Sequence, residues 1–375
     1  MVKEISMFFT VAMLALSLAS CSGSDSGKED TPSDIKASVG TLSFDAAGGT
    51  QSFTVTASGE WDAVCSESWV KLAKTGTLSN NGTVDVTAEA NKNRDARSAE
   101  ITLISGSARA KVAVEQNGKT PEPVDPTIKV PEGYELVWND EFDGDKLDTS
   151  SWTHEVQNSG WVNNELQNYV NGSFNGKRVT EVSDGILTIT AFKDGGKVYS
   201  GRIYANVNEG WKYGIFEARI KLPKGKGTWP AYWMMPANND FGKTPWPLCG
   251  EIDIMEEVGY NPDYTSSSIH CESYNHTKGT QKTAERLTQG AQDDFHVYRL
   301  EWTENGIYTY VDDVRLLSFA NDGKGDVKTW PFNKPFYLIL NLAWGGSWGG
   351  AQGVDESVLP ATMEVDYVRV FQKIK

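Results

Sequence analysis

The 375-residue sequence is poor in basic residues, histidine and cysteine. It has 35 Lys and Arg against 50 Asp and Glu, a formal net charge of −15, and no basic block. Since phosphate binding draws its affinity from Lys and Arg, this balance excludes a nucleic-acid partner and argues equally against an anionic polymer as substrate. The four histidines and four cysteines form no CxxC, HExxH or metal-spaced pair, so the sequence predicts no catalytic zinc. A neutral substrate is compatible with all of these absences.

The sequence also lacks any sustained 3.6-residue apolar period beyond its first twenty residues, which indicates a chain almost without helices. Residues 35–118 instead carry short period-2 runs between Gly, Asn and Ser turns, at 51–56, 83–87, 101–103 and 111–115. This spacing predicts a small Ig-like β-sandwich with Trp61 and Trp69 in its core. The segment also resembles a BACON domain through Trp61, Trp69-Val70, Asn91, Arg97-Ser-Ala-Glu-Ile101 and Val114-Glu-Gln116-Asn-Gly118. That resemblance implies a non-catalytic accessory module.

A second region follows a predicted linker at 119–127, where three prolines in six residues favour an extended chain. The sequence predicts that this second region is also all-β. Strand-like runs recur through residues 128–375, at 185–190, 214–220, 296–302, 307–312, 335–340 and 363–370. The fold class that we predict is therefore all-β, with an antiparallel jelly-roll sandwich after the small one. Eleven of the thirteen tryptophans lie in this region. Those beside Gly, Asn or Pro suit loop or cleft positions, at Trp161, Trp229, Trp246, Trp344 and Trp348.

The one long apolar run is Ile5–Ala19, which is too short for a membrane span and predicts a signal peptide over 1–20. Leu18-Ala19-Ser20-Cys21 resembles a bacterial lipobox, which implies that Cys21 is lipidated; an ordinary signal with an incidental cysteine is the alternative. Residues 21–34 have the Ser, Gly and acidic composition that predicts a flexible tether, and their acids resemble the export signal of surface lipoproteins in Bacteroidetes. We expect a monomer with a lipid anchor in the outer membrane, at the cell surface or the periplasmic face.

Removing Cys21 leaves three cysteines, so at least one is free or pairs outside the chain. Cys249 and Cys271 could meet on neighbouring strands, and Cys65 lies in the other domain. Buried apolar thiols are the alternative to a disulfide.

The segment Glu251-Ile-Asp253-Ile-Met255-Glu256 concentrates the candidate chemistry. Alternation puts Glu251 and Asp253 on one face of a strand but would turn Glu256 to the opposite face. A one-residue β-bulge near Met255 would return Glu256 to the acid face, so that three carboxyls share one groove wall. Mutual repulsion would then raise at least one pKa and supply a proton donor near neutral pH, as glycoside hydrolysis requires. An exposed acidic strand edge or a carboxylate calcium site is the alternative.

The second region resembles glycoside hydrolase family 16, on its laminarinase-like branch. Glu251, Asp253 and Glu256 meet the family's E-x-D-x-x-E motif. Further matching segments run in order through residues 133–372: Trp138-Asn-Asp-Glu141-Phe-Asp143, Asn163-Asn164-Glu165-Leu-Gln167-Asn-Tyr169, Ser200-Gly-Arg202, Tyr213-Gly-Ile-Phe216-Glu-Ala-Arg219, Gly227-Thr-Trp229-Pro-Ala-Tyr-Trp233, Phe295-His296-Val-Tyr298, Asn341-Leu-Ala and Asp366-Tyr367-Val-Arg369.

The resemblance implies that Glu251 is the nucleophile, Glu256 the acid/base and Asp253 the assisting acid between them. The other residues that it marks as substrate contacts are Asn164, Arg202, Trp229, Trp233, His270, Asn341 and Trp344. For His270 a core or surface position is the alternative, and Trp344 stands where many relatives carry a smaller residue. Glu165 lies either at the cleft rim or on the exposed surface.

The family implies no cofactor for catalysis, but many members hold a structural calcium, and Glu141, Gly185 and Asp366 match those ligand positions. The leading hypothesis is an endo-acting, retaining β-glucanase that cuts neutral β-1,3- or mixed-linkage β-1,3/1,4-glucans. A non-catalytic glycan-binding surface lipoprotein is the alternative, since an aromatic cleft serves both. A calcium-dependent adhesin is the third hypothesis.

Overall fold

The computed structural model describes residues 34–75, 79–91, 96–118, 125–205, 207 and 209–374. The predicted signal peptide, Cys21, the tether before Asp34 and linker residues 119–124 lie outside the described residues. The chain divides between Thr120 and Pro121 into two compact units. Within the described part of the chain, no helix has the length and apolar character needed to cross a membrane.

The first unit is a sandwich of two four-stranded sheets. Its strands are β1 Ile35–Ala37, β2 Thr41–Phe44, β3 Gly49–Glu60, β4 Asp62–Cys65, β5 Val70–Thr75, β6 Ser79–Ala88, β7 Arg97–Ser105 and β8 Ala108–Gln116. The sheet orders are β1-β3-β6-β5 and β2-β8-β7-β4. Alternate residues of β3, such as Phe53 and Val55, are buried between the sheets, as the period-2 pattern predicts. Trp61 is in this core, whereas Trp69 is only partly buried and carries the Arg97 guanidinium 4.2 Å from its ring.

The second unit holds nineteen strands among the described residues. They are β9 Tyr134–Asp140, β10 Trp152–His154, β11 Gln167–Tyr169, β12 Ser173–Phe174, β13 Lys177–Arg178, β14 Thr180–Ser183, β15 Ile186–Asp194, β16 Lys197–Ser200, β17 Arg202–Ala205, β18 Gly214–Lys221, β19 Thr228–Pro236, β20 Glu251–Glu256, β21 Tyr264–His270, β22 Lys282–Leu287, β23 His296–Trp302, β24 Gly306–Val311, β25 Val314–Ala320, β26 Phe336–Trp344 and β27 Ala361–Lys373. The described helices are short: α1 Gly346–Gly349 and two 3-10 turns, His276–Lys278 and Glu356–Val358.

These strands form two large sheets, and the predicted all-β jelly-roll class is confirmed. One sheet has the order β10-β17-β26-β19-β20-β21-β22. The other follows β11-β16-β15-β27-β18-β23-β24-β25, with β14 added on β15 and β9 on β27. Fully buried side chains such as Phe216, Tyr232, Leu340 and Val365 fill one continuous core. Each large apolar side chain buried in this way contributes about 1.5–3 kcal/mol of hydrophobic stabilisation.

Strand β26 illustrates how alternation assigns residues to the two faces of the seven-stranded sheet. Its register with β19 is unbroken from Thr228 opposite Trp344 to Pro236 opposite Phe336. Leu340, Leu342 and Trp344 therefore face the core, while Asn341 points to the other face of the sheet. The three cysteines among the described residues are free, so Cys249 and Cys271 are separate buried thiols.

Candidate active site

A β-bulge in β20 brings three acidic side chains to one face of the seven-stranded sheet. Opposite β21, Glu251 pairs with His270, Asp253 with Ser268 and Glu256 with Ser266, with the register shift between Asp253 and Glu256. Because β21 keeps its alternation from 266 to 270, all three of its partners, and therefore all three acids, share a face. The predicted bulge is present.

The same bulge lets two successive apolar residues enter the core. Opposite β19, Tyr232 pairs with Met255 and Trp233 with Asp253, so Ile254 is the extra residue. Both Ile254 and Met255 are fully buried in the main core. Burial of these two side chains stabilises the bulge, because regular alternation would expose one of them.

Glu251, Asp253 and His270 form the tightest group of this cluster. The His270 Nε2 lies 3.2 Å from Asp253 Oδ2 and 3.8 Å from Glu251 Oε1. Asp253 and His270 are buried, whereas the Glu251 side chain keeps 16% of its surface exposed. Burial and then the charge of Asp253 raise the pKa of Glu251 to about 8, against the lowering influence of His270. Burial also raises the pKa of Asp253 well above its ordinary value.

Glu256 completes the cluster beside an indole. The Trp229 Nε1–H donates to Glu256 Oε1 over 3.0 Å. Burial and then the charge of Asp253 raise the pKa of Glu256 to about 8, while the Trp229 hydrogen bond lowers it. Three buried carboxyls that repel one another retain at least one proton near neutral pH, so the site holds both a proton donor and a charged carboxylate.

Polar and aromatic side chains flank the acids on the adjoining strands. Arg202 pairs with Asn341, and Ala231 pairs with both Asn341 and Glu256, so these residues form one row across the sheet. The Arg202 guanidinium lies 4.7 Å from the Trp233 ring and 5.1 Å from the Trp161 ring, which is 44% exposed. An exposed ring beside buried polar groups suits sugars, which present an apolar face and hydroxyl groups.

The predicted substrate contact of Trp344 is wrong. This side chain is only 1% exposed and belongs to the main core. Asn341 and Trp344 lie three positions apart on a strand without a bulge in its pairing with β19, so they face opposite sides of the sheet. The same count could have excluded Trp344 from the sequence alone.

The loop 163–167 lies beside this face of the sheet. Asn164 is exposed, and its Nδ2 donates to Ser347 Oγ over 2.9 Å. Glu165 is 7% exposed, which excludes the surface position offered as an alternative for it. Sequence reasoning missed its burial because its partners include residues far along the chain.

Two aromatic residues join His270 in a cluster that the sequence analysis did not assemble. The His276 ring lies 4.9 Å from the Trp246 ring and 5.2 Å from the His270 ring. Trp348 contacts Trp229 edge-to-face at 5.5 Å. The sequence indicated loop or cleft positions for Trp246 and Trp348 from their Pro and Gly neighbours, but it carried no signal that would pair them with His276 and Trp229.

Two of the three residues predicted to hold calcium, Glu141 and Asp366, form ion pairs with arginines. Both oxygens of Glu141 accept from Arg369, at 2.9 and 2.8 Å. Asp366 Oδ2 accepts from Arg219 at 2.7 Å, and Gly185 lies in a turn with a φ of 77°. Among the described residues, the side chains clustered closely enough to hold a cation are Glu251, Asp253 and His270, whose ligand atoms lie within 4.8 Å of one another.

Comparison with known proteins agrees with this geometry. Residues 166–369 match the model of the glycosyl hydrolases family 16, and residues 34–119 match that of the viral BACON domain. A β-glucanase of Rhodothermus marinus is 44% identical over 250 residues, which are 64% of this chain and 86% of that protein.

Two solved structures extend the likeness to the fold. The laminarinase from Rhodothermus marinus has a TM-score of 0.61 and 43% identity, over 64% of this chain and 98% of its own. A non-specific endo-β-1,3(4)-glucanase named SCLam, co-crystallised with 1,3-β-D-cellotriosyl-glucose, has a TM-score of 0.61 and 41% identity, over 66% of this chain and 97% of its own. The jelly roll, its bulged acidic strand and these matches together establish that the chain belongs to glycoside hydrolase family 16.

Proposed function

We propose that this glycoside hydrolase is an endo-acting, retaining β-glucanase that cleaves β-1,3- and mixed-linkage β-1,3/1,4-glucans. The observation that carries the proposal is the bulge of β20, which turns Glu251, Asp253 and Glu256 to one face. The activities of the similar proteins support the substrate class. A site for a neutral polymer also agrees with the acidic net charge of −15.

In the first step, Glu251 attacks the anomeric carbon and forms a glycosyl-enzyme ester, while Glu256 protonates the leaving glycosidic oxygen. The geometry distinguishes the two glutamates: His270 Nε2 lies 3.8 Å from Glu251 Oε1, whereas Glu256 accepts from the Trp229 indole. The charge of His270 lowers the pKa of both glutamates. In the second step, Glu256 takes a proton from water, which attacks the ester and releases the sugar with its original anomeric configuration. These steps require no cofactor.

Asp253 assists both glutamates from between them. Its charge raises the pKa of each, so its protonation state sets how readily Glu256 holds its proton. Since Asp253 is itself buried with a raised pKa, it can share a proton within the cluster as charge moves between the steps. We infer that the cluster works as a coupled unit with a nucleophile at one end and an acid at the other.

Replacement of Glu251 by alanine tests the assignment. We expect turnover of laminarin to fall on the order of 10⁴-fold or more, because no nucleophile remains. Glu181→Gln, which removes an exposed carboxylate of the same unit, is the matched control and should retain full activity. Unchanged activity of the Glu251 variant would reject the proposal.

Product analysis tests stereochemistry and substrate. A time course by proton NMR should give the β-anomer first, and early α-anomer would refute retention. A panel of laminarin, barley glucan, lichenan, curdlan, agarose and xyloglucan with product sizing should yield oligosaccharides of mixed length from the first four. Binding without release of reducing ends would favour the glycan-binding lipoprotein instead.

We also propose that the protein is a lipoprotein anchored in the outer membrane through Cys21. The proposal rests on the sequence from Leu18 to Cys21 and on the acidic tether after it. Cys21→Ala should abolish labelling by a radioactive fatty acid in a bacterial host and release the protein from the membrane fraction. An unlabelled wild-type chain would contradict the anchor.

We propose that a structural calcium binds near Glu141, Gly185 and Asp366 and that backbone carbonyl oxygens supply most of its ligands. The fit of the side chains is poor, because Glu141 gives both oxygens and Asp366 gives one oxygen to arginine. Dialysis against EGTA should lower the melting temperature, and added calcium should restore it. An unchanged melting temperature would contradict a structural calcium.

A further inference from the structure

Glu165 is a second buried carboxyl beside the cleft, outside the acid cluster. Three side chains donate hydrogen bonds to it: Asn163 Nδ2 to Oε1 at 3.3 Å, Gln167 Nε2 to Oε2 at 2.7 Å and the Tyr169 hydroxyl to Oε2 at 3.3 Å. A charged carboxylate is an acceptor on both oxygens, and hydrogen bonds to a charged group are stronger than those between neutral groups. Burial raises the pKa of Glu165, and these three donors together with the charge of Arg202 lower it, so they favour the carboxylate against the effect of burial.

A chain of hydrogen bonds runs from Glu165 to the floor of the cleft. The Trp233 Nε1–H donates to Asn341 Oδ1 at 2.7 Å, Asn341 Nδ2 donates to the Tyr169 oxygen at 3.2 Å, and Tyr169 donates to Glu165. The indole can only donate and the carboxylate can only accept, so the two ends fix the direction of every bond between them. The orientation of the Asn341 amide follows from that direction, and each bond polarises the next.

A second set of contacts fastens the loop that carries Glu165 to the end of β26. Gln167 Oε1 accepts from the backbone N–H of Trp344 at 2.8 Å, and the Trp344 carbonyl accepts from the N–H of Leu166 at 2.9 Å. The N–H of Ser347 donates to the Asn163 carbonyl at 2.7 Å. Glu165 thus lies where this loop meets the strand that carries Asn341.

We propose that Glu165 is a positioning residue: through Tyr169 it holds Asn341 and Trp233 in the orientation in which the cleft receives its sugar. The proposal rests on the function proposed above, since it assumes that the cleft binds a β-glucan. Arg202 depends on the same arrangement, because its guanidinium stacks on Trp233. Glu165 is not one of the reacting groups, although its charge contributes to the raised pKa of Glu256.

The test measures binding and catalysis in the full chain. Glu165→Gln keeps the volume but removes the charge and one acceptor, and Tyr169→Phe removes only the hydroxyl that links Glu165 to Asn341. In a Glu251→Gln background, calorimetry with laminarihexaose should show each change weakening the Kd about five- to thirtyfold. With Glu251 present and each variant measured at its own pH optimum, KM should rise while kcat changes less than about twofold, because the reacting carboxyls remain in place. The optimum is used because the charge of Glu165 also raises the pKa of Glu256.

The double variant separates positioning from general support of the fold. If Glu165 acts through Tyr169, the two changes together should weaken binding little more than either alone, whereas independent structural effects would multiply. Tyr298→Phe is the matched control for the tyrosine, since its buried hydroxyl has no hydrogen-bond partner among the described residues. Glu181→Gln is the control for the glutamate. Both controls should leave the Kd within twofold.

Each outcome decides the matter. Two results would overturn the positioning role: effects that multiply in the double variant, or single variants whose Kd stays within twofold of the Glu251→Gln parent. If the wild-type chain still cleaves laminarin, the proposed function remains intact. A wild-type chain that neither binds nor cleaves laminarihexaose overturns both. If the Glu165 variant fails to fold, Tyr169→Phe alone decides, because it leaves the loop contacts of Gln167 in place.

Discussion

Several carboxyls in this protein are held where burial disfavours their charge, and their roles differ. In the cleft, burial and crowding raise the pKa of Glu251 and Glu256 to about 8. Outside it, Glu257 is 1% exposed with the same pKa of about 8, because burial outweighs its hydrogen bonds. Residues of one type thus differ in role according to the donors and charges around them.

Trp229 is the residue through which the proton affinity of Glu256 can be changed without touching the carboxyl. Its N–H stabilises the charged form of Glu256 and lowers the pKa. Trp229→Phe should therefore raise that pKa and move the alkaline limb of the kcat/KM profile to higher pH, because the acid keeps its proton longer. The measurement is the pH profile on laminarihexaose between pH 5 and 10, compared with wild type.

Trp348→Phe is the control for that change, since Trp348 contacts the Trp229 ring but lies outside the hydrogen bond to Glu256. It should leave the alkaline limb of the kcat/KM profile in place. An alkaline limb that stays in place, or moves to lower pH, in the Trp229 variant would show that this hydrogen bond does not tune the acid.

Glu257 should make the protein less stable as pH rises. Its Oε1 accepts from the Asp263 N–H at 3.1 Å and from Gln292 Nε2, while Oε2 has no partner among the described residues. The folded state keeps its proton up to a pKa of about 8, whereas the unfolded chain loses it near 4.5. Between these values the folded state binds more protons, so stability from this group is present below pH 4.5 and is lost through pH 8.

Glu257→Gln removes this titration and retains an acceptor for Asp263 and Gln292. The variant should therefore gain stability relative to wild type as pH rises: the difference in free energy of unfolding, variant minus wild type, should be larger at pH 8.5 than at pH 5. Urea denaturation of both proteins at the two pH values measures it. Glu181→Gln controls for the change in net charge and should show no such difference. A relative stability that is independent of pH would mean that Glu257 is ionised throughout.

At the scale of elements, the strands and the acid cluster were predictable and the loop contacts were not. The runs at 214–220 and 296–302 became β18 and β23, because period-2 alternation is a local property. The bulge at Glu251–Glu256 followed from the same alternation, since without it Glu256 would enter the core. Trp344 was assigned wrongly because the resemblance placed it with Asn341 on a cleft strand, whereas alternation along β26, which continues to Trp344, turns its side chain into the core.

Glu165 and the cluster of Trp246 with His276 could not be assembled from local patterns. Glu165 depends on Asn341, which is far along the chain, and on a tyrosine hydroxyl between them. The Trp246–His276 contact joins two loops that flank β20 and β21. Such pairings arise only when the sheet brings its connecting loops together at one face, so the sequence carries no periodic signal for them.

Gly259, in the loop between β20 and β21, packs closely against the loop that contains Gly225 and precedes β19. An added Cβ would collide with the Gly225 carbonyl oxygen and Thr228 Oγ1. Gly259→Ala should destabilise the fold by about 1–3 kcal/mol and should lower kcat, because the collision displaces the ends of β19 and β20, near Trp229 and Glu256. Thermal unfolding and laminarin hydrolysis measure the two effects.

Gly144→Ala is the matched control in the same unit, since its Cβ would have its nearest neighbour, the Lys146 carbonyl oxygen, at an ordinary 3.6 Å. It should change neither stability nor kcat appreciably. If the Gly259 variant matches it in both measurements, the contact between the two loops does not hold the catalytic strand in place.

At the scale of the whole molecule, the two units have separate hydrophobic cores. The core of the first is built from residues between Ile35 and Val114, and the main core of the second from residues between Phe142 and Val370. A region with its own core and a short linker before it is expected to fold as a domain. The three acids of the cleft and the residues that surround them all belong to the second unit.

We therefore expect the chain to unfold in two calorimetric transitions, one for each core. Residues 125–375 alone should hydrolyse laminarihexaose with a kcat/KM within about twofold of that of the full chain, because every group in the proposed mechanism belongs to the second unit. One of the two transitions of the full chain should coincide with the single transition of the excised unit. One cooperative transition, or an excised unit that folds but is inactive, would show that the first unit contributes to the catalytic architecture rather than preceding it as an independent module.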